Sequence, residues 1–78
     1  MKFKATILEK NFTSEIDLSG IVRISGSTPL QIVTSNNVFY IDNKMTFFHE
    51  NEDTILIEGI ICDASRLYGR CLIELSNE

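Results

Sequence analysis

The sequence predicts an all-β protein, a small single-domain antiparallel sheet arranged as a sandwich, a barrel or a rolled meander. Apolar and polar residues alternate with a period of two through most of the chain, which is typical of strands with one buried face. Turn-forming residues separate these segments at short intervals. No window keeps the 3.6-residue period of a helix. The 78 residues are enough for one domain, 1–78.

The first part of the chain predicts two strands. The first covers Phe3–Ile7, where apolar residues alternate with lysine and threonine. The second covers residues 16–24, and Gly20 in its middle is expected to mark a bulge or a bend. A turn follows at residues 26–29, because proline cannot donate to a strand ladder and glycine tolerates unusual backbone angles.

Residues 32–41 predict a β-hairpin. A two-residue turn is expected at positions 36 and 37, because asparagine tolerates the left-handed backbone that such turns need. This register would place Thr34 opposite Phe39. The residues then expected to face the core are Ile32, Phe39 and Ile41.

The remaining chain predicts three more strands. A turn at residues 42–44 leads into a strand over 45–49. The most strand-like segment is 54–62, which is rich in β-branched isoleucine. A loop over 63–69 then precedes a last strand over 70–75.

The net charge of −4 is unevenly distributed. Residues 1–49 carry a net charge of +1, and residues 50–78 carry −5. An acidic chain repels phosphate backbones, which disfavours nucleic acid as a partner. The acidic part would suit a basic protein partner, or it serves only solubility.

No group of residues predicts catalysis, a metal site or a cofactor. The segment 49–53, HENED, brings together the single histidine and several carboxylates, but zinc and calcium sites require a larger or differently spaced ligand set. It is expected to be a solvated hairpin tip. Cys62 and Cys71 lie in apolar strands, where free cysteine behaves as a small buried hydrophobe. We therefore expect a protein that is not an enzyme, with no catalytic residue, metal or cofactor.

The longest uninterrupted apolar run is four residues, 38–41, so no membrane insertion is expected. The first ten residues alternate charge and apolar character and lack the apolar core of a secretory signal. The expected location is therefore the cytoplasm, where both thiols stay reduced.

The loop after the fifth predicted strand is the candidate partner-binding site. It places Arg66, Leu67, Tyr68 and Arg70 on or near one loop, and tyrosine and arginine are enriched at interface hot spots. The alternative is that Leu67 and Tyr68 cap the open end of the core.

Self-association is the second expected partner mode. The strands carry apolar residues on their second faces as well: Leu8, Val33, Tyr40, Phe48, Leu56, Ile60 and Leu72. In a closed barrel some of them would form a second wall. In an open sheet they would form an apolar patch larger than monomers usually expose, and a homo-oligomer would cover it.

Three blocks resemble the YabP/YqfC family of sporulation proteins. Residues 16–24, IDLSGIVRI, resemble the family's LxITGVxxV opening, and residues 34–43 resemble its TxxGxLxIxG hairpin. Residues 55–61 resemble its VxIxGxI strand. Asn37 and Asn43 stand where the family tends to have glycine, and asparagine keeps access to the left-handed backbone. An acidic end, LIELSNE, replaces the family's basic tail.

The resemblance implies a role in spore formation in Gram-positive bacteria, in the mother cell, and it implies no enzymatic activity. The leading hypothesis is therefore a non-enzymatic β-sheet interaction or assembly module. One alternative is a small acidic phage or mobile-element inhibitor that occupies a basic site on a nucleic-acid enzyme. The weakest alternative is an enzyme or ligand carrier that uses His49 and the two cysteines.

Overall fold

Six antiparallel strands form one open sheet in the computed structural model. The structure describes residues 3–25, 29–48 and 54–77, and over 43–48 it describes the backbone alone. The strands are β1 (Phe3–Lys10), β2 (Ile21–Ser25), β3 (Leu30–Thr34), β4 (Val38–Phe48), β5 (Thr54–Cys62) and β6 (Leu67–Asn77). The described residues contain no helix, and hence none of the length and apolar character needed to cross a membrane. The predicted all-β class is confirmed.

The order of the strands in the sheet is β1-β6-β5-β4-β3-β2. Strands β2 to β6 form a meander, and β1 pairs antiparallel with β6 at the far edge. Because β1 and β2 lie at opposite edges of the sheet, the segment that joins them has to pass over one face. We call residues 11–20 the crossover segment.

The hydrophobic core lies between the crossover segment and one face of the sheet, the inner face. Four isoleucines of this face have no exposed surface: Ile32, Ile41, Ile61 and Ile73. Leu18 of the crossover segment is buried against them, and Phe12 and Ile16 pack beside it. Burying one such side chain stabilises the fold by about 1.5–3 kcal/mol, so this face carries most of the apolar stabilisation.

The predicted strand over 16–24 is wrong in its first part. Only Ile21–Ser25 pairs with a neighbour, and residues 16–18 alternate in burial because they pack on the sheet without joining its ladder. Gly20 does mark a bend. Its φ is +69°, and the Ser35 amide donates to its carbonyl oxygen at 3.0 Å where the chain enters β2.

The predicted hairpin is present, but its register is shifted by two residues. Ile32 pairs with Phe39 and Val33 with Val38, and the amide of Thr34, the last residue of β3, donates to the Asn37 carbonyl oxygen at 2.9 Å. The turn therefore lies between Thr34 and Asn37. The Thr34 hydroxyl accepts hydrogen bonds from the amides of Asn36 (3.2 Å) and Asn37 (3.0 Å), which stabilises the turn in this register. A shift of two residues keeps every side chain on its face. The three residues predicted to face the core are therefore confirmed as buried: Ile32, Phe39 and Ile41.

The second half differs from the prediction in the lengths of its elements. There is no turn at residues 42–44, since β4 continues through them with a bulge between Asn43 and Met45. The predicted bounds of β5 are confirmed, and β6 is longer than predicted, which leaves a loop of only 63–66. The HENED segment lies outside the described residues.

Both edge strands carry a β-bulge. In β1 the register shifts between Ile7 and Glu9, and in β2 it shifts between Ile21 and Arg23. The residues skipped at these bulges are two of the three exposed large hydrophobics of the described residues, Leu8 (47% exposed) and Val22 (67%). Bulges twist an edge away from flat pairing, which protects it against adding a further strand.

Candidate partner-binding site

The loop between β5 and β6 is organised by one carboxylate. The Oδ1 atom of Asp63 accepts hydrogen bonds from the Ser65 amide (2.8 Å), the Ser65 hydroxyl (2.7 Å) and the Arg66 amide (3.1 Å). The Asp63 amide donates to the Arg66 carbonyl oxygen at 2.9 Å. Aspartate commonly closes turns in this way, and the loop backbone is therefore held in place by its own hydrogen bonds.

The second oxygen of the same carboxylate joins the loop to its surroundings. Asp63 Oδ2 accepts from the Tyr68 hydroxyl at 2.5 Å and from Asn37 Nδ2 in the β3–β4 turn at 3.0 Å. The hydrogen bonds from the hydroxyls of Tyr68 and Ser65 hold the pKa of Asp63 well below its usual range. The same bond to Asp63 raises the pKa of Tyr68.

The Tyr68 ring contacts two other aromatic rings and one guanidinium group. Its ring centroid lies 6.0 Å from that of Phe12 and 6.3 Å from that of Phe39, and the rings are tilted, as aromatic pairs prefer. The Arg66 guanidinium carbon lies 4.8 Å from the Tyr68 centroid, a cation–π distance. Arg66 Nη2 also donates to the Ser14 hydroxyl of the crossover segment. These contacts make Tyr68 a cap on this end of the core.

Leu67 lies between these two anchored residues and is itself 67% exposed. In the sheet register it pairs with Cys62 at the end of β5. It therefore does not cap the core, in contrast to Tyr68. The structure presents it as an apolar side chain on a backbone that is fixed on either side.

Arg70 is separated from the other three predicted residues. Its backbone is held by Asn11, whose Oδ1 accepts from the Arg70 amide at 3.0 Å and whose amide donates to the Arg70 carbonyl oxygen at 3.2 Å. Its exposed side chain belongs to the outer face, opposite the inner face defined above. Arg66, Leu67 and Tyr68 thus form one loop site, and Arg70 lies beside it on the outer face, one row from the Leu67–Cys62 pair.

Sequence reasoning found only one of the residues that hold this loop, Asp63, which it suggested as the cap of a turn. The spacing of Asp63 and Ser65 was a usable signal, because an Asp two residues before a Ser is typical of such a turn. The hydrogen bonds from Asn37 to Asp63 and from Arg66 to Ser14 could not be predicted from the sequence, because they join positions that are far apart in the chain.

The two cysteines lie on opposite faces of the sheet. Cys71 is on the inner face with 3% of its surface exposed, and burial raises its pKa to about 11. Cys62 is half-buried and pairs with Tyr40 and Leu67 on the other face. Among the described residues no three His, Cys, Asp or Glu side chains are grouped as metal ligands would be.

An open groove of ≈ 580 Å³ runs between β1 and residues 16–20 of the crossover segment. One carboxylate lines it, that of Asp17, whose Oδ1 already accepts from the Ser19 amide (2.9 Å) and hydroxyl (2.6 Å). The Ser19 hydroxyl bond lowers the pKa of Asp17. These bonds stabilise the bend before Gly20, so they serve the local backbone.

No family model, no curated protein and no solved structure matches this chain.

Proposed function

We propose that this chain is a cytoplasmic, non-enzymatic β-sheet module that binds protein through the loop after β5. The observation that carries the proposal is the exposure of Leu67, 67%, between two residues whose side chains are anchored. Binding costs less when the contact residues are ordered beforehand. Exposed apolar residues on a mobile loop would lack this advantage.

The chemistry of the loop fits a protein partner. The Arg66 guanidinium stacks on Tyr68 and uses one nitrogen to donate to Ser14, which leaves further N–H donors directed elsewhere. Arginine and tyrosine are the residue types that dominate interface hot spots. The matching surface would have an apolar pocket for Leu67 next to a carboxylate or carbonyl group for Arg66.

A matched pair of variants tests this proposal. Leu67→Asp should abolish capture of the partner from the native cell extract by the tagged protein. Val22→Asp, at an equally exposed position (67%) on edge strand β2, should leave capture unchanged. The measurement is the yield of co-purified protein against each variant. Equal yields from both variants would contradict the proposal.

Spore formation is the process we propose for this module. The support is the order of the three blocks that resemble the YabP/YqfC proteins, at 16–24, 34–43 and 55–61. In a spore-forming host the protein should accumulate in the mother cell, and deletion of its gene should lower the yield of heat-resistant spores. Accumulation during vegetative growth alone would contradict this role.

A second candidate, an acidic inhibitor of a nucleic-acid enzyme, has one structural feature in its favour. Glu9 and Glu58 flank Leu72 in one row across β1, β6 and β5. Such a row could face a basic groove. Salt screens exposed charges, so added salt should then elute the captured partner, and Glu58→Gln should weaken capture more than Leu67→Asp does.

A further inference from the structure

The outer face carries a row of three residues with opposite charges at its ends. Arg70 on β6 pairs with Ile60 on β5, and Ile60 pairs with Asp42 on β4. Directly paired residues of neighbouring strands point to the same face of a sheet. Arg70 and Asp42 are exposed, and Ile60 between them is half-buried. Within the described part of the chain, neither charged side chain has a hydrogen bond or an ion pair.

This row is complementary to itself. A twofold axis that runs along β5 between two facing copies places β6 of one copy over β4 of the other. Arg70 of each copy then faces Asp42 of the other, and the two Ile60 side chains meet on the axis. A twofold axis across the strands would instead bring Arg70 onto Arg70 and Asp42 onto Asp42, which is repulsive.

We propose that the protein partner is a second copy of this chain, packed outer face to outer face with β5 on the twofold axis. The inference rests on the proposed function, whose partner it names. Its physical basis is the charge complementarity of the Arg70–Ile60–Asp42 row, with β5 at the centre of the three longest strands, β4, β5 and β6.

The neighbouring row of paired residues on the outer face also forms favourable contacts about this axis. Tyr40 pairs with Cys62, and Cys62 pairs with Leu67. Across the axis Tyr40 of one copy lies over Leu67 of the other. The dimer therefore covers the exposed leucine of the loop site with an aromatic side chain, which connects the loop and the face in one interface.

The edges of the sheet do not offer an equally good contact. A dimer formed by edge pairing would need a flat β1 or β2, and each carries a bulge. The face has no such obstacle. It carries partly buried apolar side chains on four neighbouring strands, namely Val33, Tyr40, Leu56, Ile60 and Leu72.

One residue opposes the dimer and gives an independent test. Glu58 lies two residues from Ile60 on β5, so the two copies bring their Glu58 carboxylates near the axis. Packed sheets cross at about 30°, which moves these carboxylates apart without removing their repulsion. Glu58→Gln should therefore tighten the dimer, the opposite of what the acidic-inhibitor function predicts for capture.

The decisive experiment is a charge-reversal mixture followed by sedimentation equilibrium. Arg70→Glu alone and Asp42→Arg alone should each raise the dimer dissociation constant at least about tenfold, because each leaves like charges facing each other. Mixed in equal amounts, the two variants should form a heterodimer. The two introduced side chains, which have opposite charges, then face each other, and the native Asp42 of one variant faces the native Arg70 of the other. Glu15→Lys, an exposed reversal on the crossover segment, should have no effect.

A thiol cross-link checks the geometry. Cys62 lies on the proposed axis, and facing sheets are separated by about 10 Å, which suits a short bismaleimide. Cys71 should stay unmodified, because it is buried and its pKa is raised to about 11. Cross-linked dimer should form in the wild type and in the variant mixture, and not in Cys62→Ser or either single reversal.

A monomeric mass in the wild type at high micromolar concentration would overturn the inference. So would a mixture that sediments as monomer, or single reversals that dimerise like the wild type. If, at the same time, Leu67→Asp abolishes capture of a different protein, the proposed function stands and only the identity of the partner is wrong. If the wild type does not dimerise and Leu67→Asp has no effect on capture, both the dimer and the proposed function are wrong.

Discussion

The two faces of the sheet are built from the same strands and similar residues, yet only one of them is closed. Ile61 and Ile73 on the inner face have no exposed surface, whereas Ile60 and Leu72, their immediate neighbours in the chain, remain half-buried on the outer face. The two faces differ in exposure because only one of them is covered. The crossover segment lies over the inner face, and no described residue covers the other.

This difference follows from the place of β1 in the sheet. Because β1 pairs with β6 and β2 lies at the opposite edge, residues 11–20 must pass over the sheet, and they bring Phe12, Ile16 and Leu18 with them. One face thus provides the stability of the fold. The other leaves apolar residues half-buried and charged residues exposed.

The largest expected effect comes from adjacent isoleucines on the two faces. Ile61→Ala removes a fully buried side chain and should destabilise the protein by about 3 kcal/mol, with a cavity left in the core. Ile60→Ala, one residue earlier, should cost about 1 kcal/mol, since its side chain is already partly in water. Urea denaturation of both variants measures this at a protein concentration where the wild type sediments as a monomer. Equal costs under that condition would mean that the chain itself covers the outer face.

A smaller effect is expected where the crossover segment meets β6. Gly69 has a φ of +147°, and a Cβ there would lie 3.0 Å from Asn11 Oδ1 and 3.0 Å from Phe12 Cδ1. Gly69→Ala should therefore cost about 2 kcal/mol and loosen the cover of the inner face. Gly20→Ala should cost about 1 kcal/mol, because its close neighbour is only the Ser35 hydroxyl. Thermal melts that rank the two in the reverse order would contradict this.

The bonds of Asp63 predict a dependence on pH. Because its folded-state pKa is depressed, the carboxylate stabilises the fold fully above the unfolded pKa, about 4, and loses this contribution as the pH falls further. The pKa of Tyr68 is raised in the folded state, so the stabilisation from its hydroxyl is complete below the unfolded pKa, about 10. This stabilisation is lost as the pH rises further. The window of full contribution is therefore about pH 4 to 10.

Asp63→Asn tests this window. The variant should be less stable than the wild type at pH 7, and the difference should shrink at pH 3. Tyr68→Phe is the matched control, because it keeps the ring contacts with Phe12 and Phe39 and removes only the hydroxyl. A stability difference that is unchanged from pH 7 to pH 3 would contradict the role of the carboxylate.

The smallest effects should occur at the bulges of the edge strands. Leu8→Thr and Val22→Thr should each change stability by no more than about 0.5 kcal/mol, as exposed substitutions usually do. Neither should alter the sedimentation of the protein. A large change at either position would show that this edge, and not the outer face, bears an interface.

The candidate loop was only partly readable from the sequence. Arg66, Leu67 and Tyr68 could be chosen by residue type, and they do lie together. Capping of the core by Tyr68 was one of the two readings of the sequence. That Leu67 does not share this role could not be predicted, because it depends on the register shift between Ile61 and Cys62 in the pairing of β5 with β6. A local pattern does not reveal where a ladder skips a residue.

Within the strands, the sequence by itself determined which side each residue faces, since a period of two is a local property of an extended backbone. Ile32, Phe39 and Ile41 were assigned to the core correctly even though their pairing was wrong. A slip of two residues leaves the alternation intact, so the pattern cannot report it.

Only the tertiary structure decided the order of the strands and the role of residues 11–20. Phe12, Ile16 and Leu18 alternate with polar residues as a strand would, but they lie on the sheet as its cover. Whether such a segment pairs or covers depends on where β1 finds its partner, and that partner, β6, comes from the other end of the chain. Contacts between distant positions leave no periodic trace in the sequence, because they are selected by the packing of the whole sheet.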